Sequence, residues 1–155
     1  MNGHEIVVTP HEASDLVEIA DTYGAAWRAS HQMLGPEAVE RFDYDRALVD
    51  IIDYLEHGGQ IFVARRAGRI AGLVGVKDDV ISRLYIHPDL QGRGIGTALL
   101  DYANAQCEQA RLTVLNTNEG AQRLYLRKGF RFTGHSIPRT DQVSELEMIA
   151  EPPTD

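Results

Sequence analysis

Leu84-Tyr85-Ile86-His87-Pro88-Asp89-Leu90-Gln91-Gly92-Arg93-Gly94-Ile95-Gly96 is the stretch whose reading decides the fold. It starts inside Val80–Ile86, an apolar run with the β-branched and aromatic content of a strand. Three glycines at alternate positions follow, and then Ile95, Ala98, Leu99, Tyr102 and Ala103 recur at helical spacing. The order is strand, glycine loop, helix. A helix N-terminus offers unpaired N–H groups and a positive dipole end, and glycines let the backbone approach a ligand closely. The segment Gln91–Gly96 therefore suits a phosphate; the other reading is a plain glycine-rich turn. Two well-known phosphate loops do not fit. A dinucleotide fingerprint needs G-x-G-x-x-G where this loop has G-x-G-x-G, and a P-loop needs a terminal G-K-[ST].

Upstream, Gln60–Arg66 and Arg69–Lys77 are apolar runs joined by Ala67-Gly68, which predicts a tight hairpin, and Asp78-Asp79 predicts a turn into Val80–Ile86. Further back, Glu5–Thr9 reads as a strand, and Thr9-Pro10-His11-Glu12 has the T-x-x-E form of a capping box with proline at the first helical position. Two helices are predicted next. Leu16, Ala20, Tyr23 and Trp27 mark the first, ended at Gly35-Pro36; Leu48, Ile51, Ile52 and Leu55 mark the second, ended at Gly58-Gly59. Downstream come a strand at Leu112–Leu115, a helix at Glu119–Lys128 stopped by Gly129, and strands at Arg131–Ser136 and Val143–Ala150. The pattern predicts an α+β domain over residues 1–150, with a mixed, mostly antiparallel sheet of about seven strands and helices on both faces; residues 151–155 read as a frayed tail.

Composition narrows the class. The chain has 155 residues, 43% hydrophobic and 25% charged, the balance of an ordinary globular domain. No apolar run approaches the ~18–20 residues that span a bilayer, Met1–Val8 lacks the pattern of a secretory signal, and the lone Cys107 cannot form an internal disulfide. These features lead us to expect a cytoplasmic protein. A net charge of −8 argues against nucleic acid as a partner, and its acidic groups either keep the surface solvated or attract a cationic acceptor.

Gln91-Gly92-Arg93-Gly94-Ile95-Gly96 resembles the Q/R-x-x-G-x-G/A signature of the GNAT acetyltransferases, and Leu84–Pro88 looks like that family's fourth strand. A second block agrees in order and separation: Asn118, Ala121, Tyr125, then Gly129-Phe130. The resemblance implies an N-acetyltransferase with acetyl-CoA as co-substrate and no metal. It implies that Val80–Ile86 and Leu112–Leu115 splay apart around the cofactor. Leu84, Tyr85 and Ile86 would hold its pantetheine arm, Gln91, Gly92, Arg93, Gly94, Ile95, Gly96 and Thr97 its pyrophosphate. Backbone N–H groups near Ile86 would stabilise the oxyanion. Asn118 would touch the cofactor or simply cap its helix, and Arg93 would pair with a phosphate or stay solvated. Tyr125 would face the thioester sulfur as a donor to the leaving thiolate, besides filling its helix face. Cys107 reads as packing.

The sequence departs from the family at both positions that often hold a catalytic glutamate: Thr113 and Val80 stand there. Asp79, His87 or a backbone carbonyl could relay through water. Trp27, His31, Phe42 and Tyr44 are candidates for the acceptor side, with Trp27 continuing the apolar stripe and His31 expected in solvent. The expected activity is direct transfer to a small-molecule amine. A protein or peptide acceptor, and a silent acyl-CoA-binding sensor, are the alternatives. We expect a monomer or homodimer.

Overall fold

The computed structural model describes residues 5–151. Strands β1 (Ile6–Pro10), β2 (Gln60–Arg66), β3 (Arg69–Lys77) and β4 (Val80–Ile86) form an antiparallel meander. Strands β5 (Arg111–Leu115), β6 (Phe130–Pro138) and β7 (Ser144–Ala150) form a second antiparallel group, with β7 in its middle. A parallel contact between β4 and β5 joins the two, and the full order is β1-β2-β3-β4-β5-β7-β6. The α+β class and the mostly antiparallel seven-stranded sheet are as the sequence predicts. Ala67 and Gly68 both take positive φ, 52° and 78°, the geometry of a two-residue hairpin turn. Asp78 and Asp79 do the same at 50° and 64°.

Alternation along β2 assigns its two faces. Ile61 and Val63 point one way, Phe62 and Ala64 the other, and all four are buried. On the first face lie α1 (Leu16–Ser30) and α3 (Tyr44–Glu56), through Ile19, Ala20, Tyr23, Ala47, Ile51 and Tyr54. The second face is covered by α4 (Ile95–Ala105), through Ile95, Leu99, Leu100 and Ala103. Phe130, which opens β6 just after α5 (Glu119–Arg127), and Met148 of β7 extend this second core, and both are fully buried.

Two local expectations are corrected. Thr9–Glu12 does not cap a helix: Thr9 pairs with Val63 and Pro10 with Phe62 inside β1. The cap lies later, where the Asp15 carboxylate accepts the Glu12 N–H at 2.8 Å and a short 3-10 turn, Ala13–Asp15, leads into α1. Asp15 serves because Arg65 pairs with it at 2.6 Å and holds its carboxyl below the usual range. The second correction is a third helix before β2. Gly35 at φ 91° turns the chain, Pro36 supplies a preset φ, and α2 (Pro36–Arg41) follows. Of the tail expected at 151–155, all but Glu151 lies outside the described residues.

Tyr54 shows how tightly the first core is fitted. A Cβ at Gly59 would sit 2.4 Å from the Tyr54 ring, and one at Gly75 would sit 2.8 Å from its hydroxyl. Arg83 lies over the same ring, 3.8 Å from its centroid, so the ring has nowhere to retreat. Gly59→Ala should therefore destabilise the fold by about 1–3 kcal/mol, although φ at Gly59 is ordinary. Urea unfolding would read this as a lower midpoint at unchanged slope.

Candidate functional site

The site begins where β4 and β5 part. They pair at Val80↔Arg111 and nowhere further along. That closed end is pinned from the Asp78-Asp79 turn: the Asp79 carbonyl accepts the Arg111 N–H at 2.8 Å, and its carboxylate accepts the Gln109 N–H at 3.1 Å. Beyond it, β4 remains bonded to β3 and β5 to β7, so both strands turn an unpaired edge toward the gap. Buried backbone groups need partners. Two facing strand edges without a strand between them form a seat for an extended, amide-bearing ligand arm. The gap opens into a cleft of about 700 Å³ lined by both strands, by the loop before α4 and by α5.

A bulge in β4 shapes one wall. Gly75 faces Ser82 while Leu73 faces Tyr85, so β4 carries one residue more than its partner there. Arg83 takes φ 54°, a left-handed conformation uncommon for a residue with a side chain. Its guanidinium grips Asp50 of α3 with two bonds, 2.9 and 3.2 Å, and the Tyr23 hydroxyl donates to the same carboxylate at 2.9 Å. Arg83 thus ties the bulge to both helices of the first face.

The glycine loop supplies the second wall. Gly92 and Gly94 have φ 77° and 79°, and an added Cβ at either would meet nothing within 4 Å; conformation, not space, calls for glycine. Ala98 is the first residue of α4 to donate along the helix, to the Gly94 carbonyl. None of the N–H groups from Gln91 to Thr97 finds an acceptor among the described residues. This row of free donors at the positive end of an eleven-residue helix is suited to hold an anion.

At the inner end stand Tyr125, Tyr85, His31 and Glu145. Tyr125 packs against Phe130 with ring centroids 6.0 Å apart, is 8% exposed, and still reaches the cleft. Burial pushes its hydroxyl up to about 12, so it stays protonated and keeps a hydrogen to donate. Tyr85 is pushed up further by burial, with Tyr125 and Glu145 near it. Glu145 is committed: Arg139 pairs with it, and the Thr113 hydroxyl points to it at 3.4 Å.

Of the residues singled out in the sequence, Leu84, Tyr85, Ile86, Gln91, Gly92, Gly94, Ile95, Gly96, Thr97, Asn118 and Tyr125 all line the cleft. Ile95 does so while its side chain is 1% exposed in the core. Asn118 caps α5, its side chain accepting the Ala121 N–H at 3.1 Å, and faces the cleft as well. Arg93 is exposed and is not in the lining. Asp79 and His87 also lie outside it; Asp79 holds the turn, and His87 accepts the Asp89 N–H at 3.1 Å. Trp27 and Phe42 stack at 4.3 Å as packing, and Tyr44 joins the same cluster. His31 departs from the expectation of a solvent residue. It stacks on Trp27 at 4.0 Å and lines the cleft. Arg83 and Glu145 were not singled out at all. A polar pair, Ser82-Arg83, interrupting an apolar run was the signal for the bulge; Glu145 left none.

A family profile described as "Acetyltransferase (GNAT) domain" matches residues 31–150. The chain is 27% identical over 109 residues to the Escherichia coli protein named peptidyl-lysine N-acetyltransferase YjaB, covering 70% of each. The solution structure of apo YjaB superposes with TM-score 0.74 at 20% identity, over 96% of this chain and 99% of that one. A Corynebacterium glutamicum structure described as histone acetyltransferase HPA2 and related acetyltransferase gives 0.76 at 22% identity, over 97% and 98%. The Salmonella typhimurium protein yncA, a putative acetyltransferase solved with its cofactor acetyl-CoA, gives 0.68 at 20% identity, over 94% and 93%.

The Arg83–Asp50 pair carries the wall of the cleft. Asp50→Asn should cost about 2 kcal/mol, because charge-assisted bonds are lost while the guanidinium stays half-buried. Denaturant unfolding checks this; a change within about 0.5 kcal/mol, the range of plain surface substitutions, would show the pair to be unimportant.

Proposed function

We propose that this chain, which belongs to the GNAT acetyltransferase family, moves an acetyl group from acetyl-CoA directly to a primary amine carried by a small molecule. The observation that carries the reading is the parting of β4 from β5 beside a row of free N–H groups. The residues present fit the cofactor. The open edge at Leu84–Ile86 would hold the pantetheine amides, and Gly92–Thr97 the pyrophosphate. Acetyl-CoA supplies an acetyl thioester, an activated acyl group.

The chain's own groups do the rest. Tyr125 donates a hydrogen bond to the sulfur side of the cleft and keeps its proton. With its pKa at about 12 and a thiol near 8.5, full transfer would be uphill by ~5 kcal/mol. The acceptor must be neutral to attack. For a lysine-like amine at pH 7 that costs ~4.6 kcal/mol, for an amine near pKa 8 only ~1.4 kcal/mol. The absence of glutamate at Thr113 and Val80 favours the less basic, small-molecule amine. Likeness to YjaB, named for peptidyl-lysine acetylation, favours the second reading of a lysine side chain as acceptor.

Thiol release from acetyl-CoA, followed against a panel of small amines and against lysine peptides, separates the two. Turnover with amines is expected; turnover with peptides alone would replace the small-molecule reading, and none with either would remove the transfer reading. Tyr125→Phe should lower kcat by about 10–100-fold and leave CoA affinity within about twofold. Unchanged kcat would take Tyr125 out of the reaction.

A further inference from the structure

We propose that His31 is the proton acceptor for the attacking amine, acting through Nε2; this rests on the amine-acetylation reading above. His31 caps the C-terminus of α1 and lines the cleft together with Ala26, Ser30 and Tyr125. Its Nδ1 lies 2.9 Å from the Trp27 carbonyl and 2.9 Å from the Ser30 hydroxyl. A carbonyl oxygen can only accept, so Nδ1 carries the hydrogen in the neutral ring. The Ser30 hydroxyl donates to the same carbonyl at 3.1 Å and leaves its oxygen to share the Nδ1 hydrogen. Nε2 then holds the lone pair, and no group among the described residues bonds to it.

The ring is held as well as polarised. His31 stacks on Trp27 at 4.0 Å with the planes 6° apart, and Trp27 stacks in turn on Phe42. The Tyr85 ring lies 6.4 Å away, tilted by 42°. A base that is to work in a cleft must keep its free nitrogen in one place, and the Nδ1 hydrogen bond together with the stacked Trp27 ring does this.

Its surroundings keep the ring neutral. Burial lowers its affinity for a proton, and this outweighs the Trp27 carbonyl and the Glu145 carboxylate, which act the other way. Ser30 and Trp27 on α1, Tyr85 on β4 and Glu145 on β7 are the polar groups that face it, and Glu145 is itself paired with Arg139. Glu145, the other base in the cleft, has both oxygens engaged, by Arg139 and Thr113.

In the step proposed, a C–N bond forms at the acetyl carbon as the C–S bond breaks. The amine nitrogen gives one proton to Nε2, the sulfur leaves with the bonding pair and takes a proton from solvent, and His31 returns its own to solvent.

Two readouts test this. Long-range proton–nitrogen NMR of the imidazole, with no cofactor added, should show the Nδ1–H form, titrating below the ordinary value of ~6.5. The Nε2–H form would overturn the proposal. The second readout is kinetic. His31→Asn keeps an amide at the place of Nδ1 and removes Nε2, and His31→Gln places an amide at Nε2. Both should keep the thermal shift given by CoA, which shows the fold and donor seat intact, and lose about 100-fold in kcat/KM at pH 8. With one acceptor throughout, the ratio of wild-type to variant kcat/KM should fall tenfold per unit below the His31 pKa and level off above it. A ratio constant across the His31 pKa that the NMR titration gives, or full activity in both variants, would overturn the role of His31 and leave acetyl transfer standing. A wild type that turns over no amine would instead overturn the transfer reading, and this proposal with it.

Discussion

Everything in this molecule that bears on function depends on the failure of β4 and β5 to stay paired. A sheet normally satisfies each strand edge with the next strand, and an open edge inside a fold leaves polar groups without partners. Here the two strands meet at Val80 and Arg111, where the Asp79 turn fixes them, and then diverge. The cost of the unpaired edges is tolerable because solvent or a ligand can fill the gap. The remaining architecture holds the gap open: α4 packs beneath β2 and β3, α5 with Tyr125 and Phe130 flanks β5, and Arg83 anchors the β4 bulge on Asp50.

The same arrangement sorts the charges. Free N–H groups from Gln91 to Thr97 gather at one end of the cleft, where the donor's phosphates would lie. At the other end the ionic groups are mutually satisfied, Arg83 by Asp50 and Glu145 by Arg139, and the hydroxyls of Tyr85 and Tyr125 are too buried to ionise near neutral pH. The inner end is therefore neutral and shielded, a setting in which a neutral amine is favoured over an ammonium ion.

Much of this was legible in the sequence, for identifiable reasons. Apolar runs bounded by turn residues placed all seven strands; Gln60–Arg66 and Arg69–Lys77 are apolar on both faces, and the turns that follow them take positive φ. The alternate glycines of Gln91–Gly96 marked the loop proposed for the phosphates, because the positive φ at Gly92 and Gly94 leaves few other residue choices. The cap was misplaced because a local T-x-x-E pattern competes with strand pairing at Thr9, and pairing is a long-range fact. His31 was legible as a candidate for the acceptor side but was expected in solvent, for the same reason: its setting depends on Trp27, Tyr85 and Glu145, which come from three different elements. The polar pair Ser82-Arg83 marks an interruption of the apolar run, but the bulge itself is a property of two strands in register, and one strand's letters do not fix it.

The central claim is that the gap between β4 and β5 is a seat for the CoA arm, and amide NMR on added CoA tests it most directly. Binding should shift and slow the exchange of the N–H groups of Gly92, Gly94, Ile95, Gly96 and Thr97, and those along the open edge of Leu84–Ile86, while β1 and the outer residues of β6 stay unchanged. Binding that left the loop and β4 unaffected, or no binding at all, would contradict the account.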